Sequence, residues 1–141
     1  MCGICGLFQS NQPVEEATLK RMSDRIAHRG PDDSGMYFSP DGRAGLGFRR
    51  LAIIDLSPTG HQPMTNEDGR LWIVFNGEIY NYPDLRKELA RAGHEFRSTS
   101  DTEVVIHGYE EWGAGVLSRL RGMFAFALWD ERNHALFAAR D

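Results

Sequence analysis

Apolar positions along the chain follow two patterns, short continuous runs and stripes at helical spacing. Residues 4–8 form an apolar run, which predicts a buried strand at the start of the chain. Leu19, Met22 and Ile26 then recur at three- and four-residue spacing. With acidic residues at its beginning, this stripe predicts a helix over about residues 15–27 that packs against a core.

The rest of the pattern predicts a mixture of strands and helices. Strands are expected at residues 36–39, 43–48 with a continuation to 55, 71–75, 123–130 and 134–139. Helices are expected from Pro83 to a stop at Gly93, over residues 103–112 and over residues 116–120. Polar segments rich in Gly and Pro predict loops at residues 28–35 and 57–66, with tight turns at residues 40–42, 67–69 and 131–133. This order favours an α+β sandwich over a doubly wound parallel sheet.

Composition narrows the class of protein. A chain of 141 residues with 41% hydrophobic residues can form one domain with a substantial core. The net charge of −4 and the dispersed basic residues argue against nucleic acid as a partner. The absence of a long apolar run predicts no membrane span, and the cysteine content favours a reducing cytoplasm.

Cys2 is the first candidate for chemistry. Removal of Met1 would leave its thiol and a free α-amine on one residue. An α-amine has a reference pKa of about 7.7–8.0 and is partly neutral at cellular pH, so it could act as the general base for the thiol. The alternative is that Cys2 is an inert apolar residue.

Cys2 and Cys5 also form a Cys-x-x-Cys pair, which suggests a redox site or half a zinc site. No strand precedes the pair, as a redox motif would require. The five histidines show no paired spacing that would complete a zinc site. We therefore predict no metal, and we expect Cys5 to serve packing.

Other candidates come from positions at the ends of predicted elements. Asn76 and Gly77 follow a buried strand, where an amide group and a backbone N–H could stabilise an oxyanion. Asn-Gly is equally a hairpin signal. Arg50 could bind a carboxylate through two hydrogen bonds, and Asp101 could bind an ammonium group or simply cap a helix.

Nucleotide-binding signatures are missing. Neither lysine follows a glycine, and Gly45-Leu46-Gly47 lacks the third glycine of a dinucleotide fingerprint. We predict a domain that works without a nucleotide.

Seven ordered blocks point to a family. They are Met1-Cys2-Gly3-Ile4-Cys5-Gly6, His28-Arg29-Gly30-Pro31-Asp32, Arg50-Leu51-Ala52-Ile53-Ile54-Asp55, Gly60-His61-Gln62-Pro63-Met64, Phe75-Asn76-Gly77-Glu78-Ile79-Tyr80-Asn81, Ser100-Asp101-Thr102-Glu103 and Gly122-Met123-Phe124-Ala125-Phe126-Ala127. In these blocks residues 1–141 resemble the glutaminase domain of glutamine-hydrolysing asparagine synthetase, a class II glutamine amidotransferase. The resemblance implies an N-terminal-nucleophile hydrolase fold, a four-layer αββα sandwich of antiparallel sheets.

The resemblance also implies roles. Cys2 would attack the side-chain amide of L-glutamine and form a glutamyl thioester, while Asn76 and Gly77 form the oxyanion hole. Arg50 would bind the α-carboxylate of the substrate, and Asp101 would bind its α-ammonium group. The whole substrate-binding set would be Arg50, Leu51, Ile53, Ile54, Asn76, Gly77, Glu78 and Asp101. No cofactor or metal is expected in this domain.

The family's ATP-dependent synthetase domain, which would use ATP and Mg²⁺ to amidate aspartate, is absent from these residues. This synthetase domain is the expected partner in asparagine biosynthesis, and it could be in the same or another subunit. An oligomer is also compatible with the sequence. Three alternatives stay open: a related amidotransferase with another acceptor, a non-catalytic partner module with the same fold, and a Cys-x-x-Cys oxidoreductase.

Overall fold

A computed structural model describes residues 2–51 and 60–141 of the protein. Seven strands occur in this part of the chain: β1 (Gly3–Phe8), β2 (Asp33–Phe38), β3 (Ala44–Arg50), β4 (Met64–Thr65), β5 (Leu71–Ile79), β6 (Gly122–Asp130) and β7 (Ala135–Arg140). The α-helices there are α1 (Glu16–Arg25), α2 (Tyr82–Arg91) and α3 (Thr102–Trp112). Two 3₁₀ turns span Ala27–Arg29 and Gly113–Ser118.

The first sheet has the order β1-β3-β2, with every pairing antiparallel. Successive side chains of a strand point to opposite faces, and β3 uses its two faces differently. Leu46 and Phe48 are buried in the core beneath this sheet. A Cβ added at Gly45 or Gly47 would approach Leu19 of α1 to 3.1 or 3.7 Å, so the glycine face lies under α1. Small residues let this helix pack close to the sheet.

The second sheet has the order β4-β5-β6-β7 and is also antiparallel. Val74 and Trp129 belong to the same buried cluster as Leu46 and Phe48, so one face packs against the first sheet. The opposite face forms the larger core with the helices: Leu71, Ile73, Phe75, Ile79, Leu85, Leu89, Val104, Val105, Ile106, Phe124, Phe126 and Leu128. The predicted α+β arrangement of two antiparallel sheets between helices is confirmed.

Several predicted boundaries are wrong, and each has a structural reason. β2 begins at Asp33 rather than 36, because Asp33–Arg50 is the first register pair with β3. β5 continues to Ile79, because β6 pairs with it along its whole length. Residues 64–65, predicted as loop, form β4 beside β5. The helix predicted over residues 116–120 is the 3₁₀ turn Gly113–Ser118.

The predicted extension of β3 to residue 55 lies outside the described residues from residue 52 onward; β3 itself ends at Arg50. Within the described ranges, no helix has both the length and the apolar character needed to cross a membrane.

Candidate active site

A cleft of about 590 Å³ opens where the ends of the two sheets meet. The first sheet and the residue after it contribute Phe48, Arg50 and Leu51, and Cys2 lies just before β1. The second wall comes from β5 and from the residues at the start of α3. Seven of the predicted site residues line this one cleft: Cys2, Arg50, Leu51, Asn76, Gly77, Glu78 and Asp101.

Cys2 is held by the backbone of the neighbouring strand. The Leu51 N–H donates to the Cys2 sulfur at 3.5 Å, and the thiol lies 3.9 Å from the Leu51 carbonyl oxygen. The Arg29 Nε–H donates to the Cys2 carbonyl at 3.2 Å. Gly3 pairs with Arg49 in the sheet, which brings Cys2 beside Arg50. Cys2 as a residue is half-buried and lines the cleft, and these contacts position it there.

Cys5 has a different environment. A Cβ added at Gly47 would lie 2.7 Å from the Cys5 sulfur, on the face that α1 covers. Burial raises the pKa of the Cys5 thiol, and the charge of Arg49 opposes this only in part. Cys5 therefore contributes to packing, whereas Cys2 faces the cleft, and this arrangement gives no support to a redox pair.

Asn76 and Gly77 lie inside β5, paired with Ala125 and Phe124, so the hairpin-turn alternative is wrong. Asn76 shares a face with Val74, which packs toward the first sheet. Its side chain is thus on the side where Cys2 lies. Gly77 has φ of +154°, and a Cβ there would be 2.1 Å from the Met123 carbonyl oxygen. Only glycine fits at this position.

Asp101 lies at the start of α3, and its side chain is hydrogen-bonded to the end of β5. Its Oδ2 accepts a hydrogen bond from the Ile79 N–H at 2.7 Å, and among the described residues its side chain makes no bond that caps the helix. Desolvation raises the pKa of Asp101 and the negative Glu78 adds to this, although backbone hydrogen bonds oppose it. A ligand cation beside this carboxylate would relieve the cost of its burial.

Arg50 is 8% exposed and points into the cleft from the end of β3. Its register partner is Asp33, which also accepts a hydrogen bond from the His61 ring at 2.7 Å. Burial alone would raise the pKa of Asp33, but hydrogen bonds from His61 and Ser34 and the charges of His61 and Arg50 lower it. The ionised Asp33 carboxylate is therefore opposite Arg50 in the sheet, where its negative charge faces a positive one.

Other cleft residues were not predicted as site residues. Gln62 is 5% exposed and bridges three elements, since its Oε1 accepts from the Phe75 N–H at 2.6 Å and its Nε2 donates to Thr102 Oγ1 at 3.4 Å. Tyr82, Thr99, Ser100 and Met123 also line the cleft. Gln62, Ser100 and Met123 belong to the seven family-like sequence blocks. Their place in those blocks was the sequence signal that could have identified them as site residues. Ile53 and Ile54, predicted to bind substrate, lie outside the described residues.

The structural neighbour defines the class of fold. The chain superposes on glutamine phosphoribosylpyrophosphate (PRPP) amidotransferase from B. subtilis, complexed with ADP and GMP, with a TM-score of 0.73. The match covers 99% of this chain and 36% of the other at 21% sequence identity, so it bears on fold alone. It confirms the N-terminal-nucleophile type of fold.

Sequence comparison then gives the family. Residues 1–141 match the family described as "Glutamine amidotransferase domain" over their whole length, and the chain belongs to this family. It is 47% identical to asparagine synthetase [glutamine-hydrolyzing] 1 of Bacillus subtilis (strain 168) and 41% identical to asparagine synthetase [glutamine-hydrolyzing] 1 of Arabidopsis thaliana. It is 48% identical to the amidase chry2 of Gibberella zeae. Each match covers 100% of this chain, which spans only 22% to 24% of the length of these relatives.

Proposed function

We propose that this chain hydrolyses L-glutamine to glutamate and ammonia, with Cys2 as the nucleophile. The observation that carries the proposal is the convergence of Cys2, Arg50, Asn76 and Asp101 on one cleft between the two sheets. A thiol, a cation, an amide donor and an anion there match the reacting group and the polar ends of one amino acid.

The first half of the reaction transfers the glutamyl group to sulfur. The α-amine of a processed Cys2 takes the thiol proton, and the thiolate attacks the side-chain amide carbon of glutamine. The Asn76 amide and the Gly77 N–H donate to the oxyanion that forms. The amide nitrogen accepts the proton from the α-ammonium group and leaves as ammonia, which gives a thioester with Cys2.

The second half returns the enzyme to its starting state. Water adds to the thioester carbonyl, with the α-amine of Cys2 accepting its proton, and the same donors stabilise the second oxyanion. The carbon–sulfur bond then breaks, the thiol recovers its proton, and glutamate leaves.

Substrate binding follows from the charges of the cleft. The Arg50 guanidinium binds the α-carboxylate of glutamine, and Asp101 binds its α-ammonium group. Glu78 and the Leu51 backbone complete the pocket. Substrate binding by Ile53 and Ile54 is proposed from the family resemblance alone. No cofactor is needed in this domain, because the thiol and the α-amine supply both the nucleophile and the base.

The ammonia serves an amidation elsewhere. The names of the B. subtilis and Arabidopsis relatives, asparagine synthetase [glutamine-hydrolyzing] 1, support a synthetase domain that makes asparagine. From the family resemblance, we propose that this domain uses ATP and Mg²⁺ to amidate aspartate. That domain is the proposed partner, and asparagine biosynthesis in the cytoplasm is the proposed setting. The reducing cytoplasm suits a reaction that needs a free thiol.

Intact mass and a glutaminase assay on one sample test the proposal. We expect a mass without Met1, glutamate formed from glutamine, and activity abolished in Cys2→Ala with circular dichroism unchanged. A Cys5→Ser control should retain activity. Substantial turnover in Cys2→Ala would overturn the nucleophile assignment, and a processed chain that stays inactive with a synthetase domain present would favour a non-catalytic module.

A further inference from the structure

A group of histidines and carboxylates lies outside the cleft, on the far part of α3. Glu67 comes from the turn before β5, His94 from the segment after α2, and His107 from α3. One ligand atom of each lies within 4.8 Å of the ligand atoms of the other two. With 1.5 Å of rise per helical residue, His107 is about 7.5 Å along the axis from Thr102 at the cleft. None of the three is among the described residues that line the cleft.

His107 is buried without good hydrogen-bond partners. It is 1% exposed, and its Nε2 has no hydrogen-bond partner among the described residues. Its Nδ1 points to Glu110 Oε2 at 3.5 Å and Glu67 Oε1 at 3.7 Å, both longer than an ordinary hydrogen bond. Buried polar groups are normally satisfied, and the long contacts leave Nδ1 poorly satisfied. An ion bound at Nδ1 would account for this nitrogen, but not for Nε2.

The spacing of the atoms matches that of metal ligands. Bond lengths of about 2.0–2.2 Å to zinc imply separations of about 3.3–3.6 Å between ligand atoms in a tetrahedron. His107 Nδ1 lies 3.7 Å from Glu67 Oε1 and 3.5 Å from Glu110 Oε2. The same Glu110 oxygen lies 3.7 Å from His94 Nδ1. The Glu110 oxygen therefore lies close to both histidines, but the ligand atoms that all lie within 4.8 Å of one another are those of Glu67, His94 and His107.

The surroundings also orient these side chains as ligands. A histidine that binds metal through one nitrogen usually donates its other N–H to a carboxylate or carbonyl. His94 Nε2 lies 3.2 Å from Glu111 Oε2, within hydrogen-bond distance, whereas His107 Nε2 lies 4.0 Å from Glu103 Oε1, too far for a hydrogen bond. Glu110 is held through its other oxygen, which accepts from Asn66 Nδ2 and Arg70 Nη2 at 3.1 Å each.

We propose that Glu67, His94 and His107 bind one divalent transition-metal ion, with Zn²⁺ the best match to two imidazoles and one carboxylate. The ion would cross-link the turn before β5, the segment after α2 and helix α3. Because α3 begins beside the cleft, the ion would fix the element that carries Asp101 and Thr102. This role is structural and does not depend on glutamine chemistry.

Titration with Zn²⁺ alone tests the site in the full chain, without a polyhistidine tag. The Cys2→Ala chain is used, because a thiol could bind zinc by itself. We expect one saturable equivalent, a rise in Tm of about 5–10 °C at 100-fold excess over Kd, and the visible absorption of four-coordinate cobalt when Co²⁺ replaces Zn²⁺. Saturable binding in the unaltered chain that is lost in the Cys2→Ala chain, or no saturable binding in either chain, would overturn the proposal.

Variants locate the ion. His94→Ala and Glu67→Gln should lower affinity at least about 100-fold, and Glu111→Ala, which removes only the orienting carboxylate, about 10- to 100-fold. His134→Ala is the matched control, because His134 is an exposed histidine paired with Asp41 at 2.8 Å; it should bind zinc like the parent. Undiminished binding in His94→Ala would place the ion elsewhere and overturn the site. Glutaminase activity is measured separately, so its absence would leave this test unaffected.

Discussion

At the scale of single residues, Gly77 shows how closely the backbone is packed at the oxyanion end of the cleft. Its φ of +154° and the 2.1 Å approach of a Cβ to the Met123 carbonyl leave no room for a side chain. We expect Gly77→Ala to lower the free energy of unfolding by about 2–4 kcal/mol, because the neighbouring atoms are backbone of β6 and cannot move aside. Urea unfolding measures the change, and kcat for glutamine should fall with it.

Gly115→Ala is the matched control for that prediction. A Cβ at Gly115 has its nearest neighbour, in Trp112, at 3.9 Å. Its stability should stay within about 1 kcal/mol of the parent. If both alanine variants behave alike, the close approach of β5 and β6 at Gly77 is not what requires glycine.

Asp101 yields a prediction in which stability and substrate binding change in different ways. Desolvation raises its pKa in the folded chain, so the stability it contributes at low pH is lost as pH rises through that raised value. Asp101→Asn should therefore remove this pH dependence and be no less stable at pH 7. Its KM for glutamine should rise about 10- to 100-fold, because an amide cannot pair with the substrate ammonium.

The measurements for Asp101→Asn are urea unfolding between pH 3 and 7 and steady-state kinetics. Asp84→Asn is the control, because Asp84 is an exposed carboxylate on α2 whose side chain is 85% accessible. An unchanged KM in Asp101→Asn would remove Asp101 from the substrate site.

Which residues line the cleft was largely predictable, but the way they are held was not. Cys2, Arg50, Asn76 and Asp101 stand in motifs that sequence alone can show. The bond from the Ile79 N–H to Asp101 spans 22 residues, and no local pattern signals it. Asn76-Gly77 was ambiguous for a physical reason, since the same dipeptide suits a hairpin turn and a strand that passes close to its neighbour.

At the scale of elements, one buried carboxylate, that of Glu103, holds the segment of residues 97–100 in place before α3. Glu103 is 4% exposed and accepts hydrogen bonds from the Arg97 N–H at 2.7 Å, the Ser98 N–H at 2.8 Å and the Ser98 hydroxyl at 2.6 Å. The residues that follow, Thr99 and Ser100, line the cleft. Glu103 thus connects the stability of α3 to the shape of the substrate pocket.

We expect Glu103→Ala to destabilise the chain by about 2–4 kcal/mol, because three donors lose their acceptor. KM for glutamine should rise as the segment loosens, and Glu103→Gln should recover part of both effects. Glu88→Ala is the control, since the Glu88–Arg119 pair is exposed on the surface and should change stability by about 0.5 kcal/mol or less. Equal stability of the two alanine variants would contradict this role for Glu103.

Elements with strong periodicity were predictable, and those defined by distant partners were not. The stripe of α1 and the apolar runs of β1 and β6 locate these elements in the sequence within a few residues. β4 has only two residues, Met64 and Thr65, and it forms because these residues pair with β5 at the edge of the sheet. The polar end of β5, from Asn76 onward, is a strand because β6 pairs with it, which the composition of that stretch does not reveal.

At the scale of the whole molecule, the α+β arrangement followed from the order of elements, whereas the proposed use of ammonia depends on the proposed synthetase domain. Joined to a synthetase domain, the Cys2→Ala chain should lose glutamine-dependent amidation of aspartate. Ammonium salts should still support that amidation, because they bypass the thioester. Measuring asparagine with each nitrogen source, beside the unaltered chain, checks this; loss of both activities would indicate that Cys2 has a structural role.

The cleft has one wall on each sheet, and the apolar layer between the sheets sets the distance across it. Leu46, Val74 and Trp129 are large side chains of that layer and are not among the described residues that line the cleft. A change in their volume would widen or narrow the space between Cys2 and Asn76 without altering any group that touches a ligand. Selection for a shorter or longer amide substrate could therefore act on the interior of the protein, where substitutions are not usually associated with specificity.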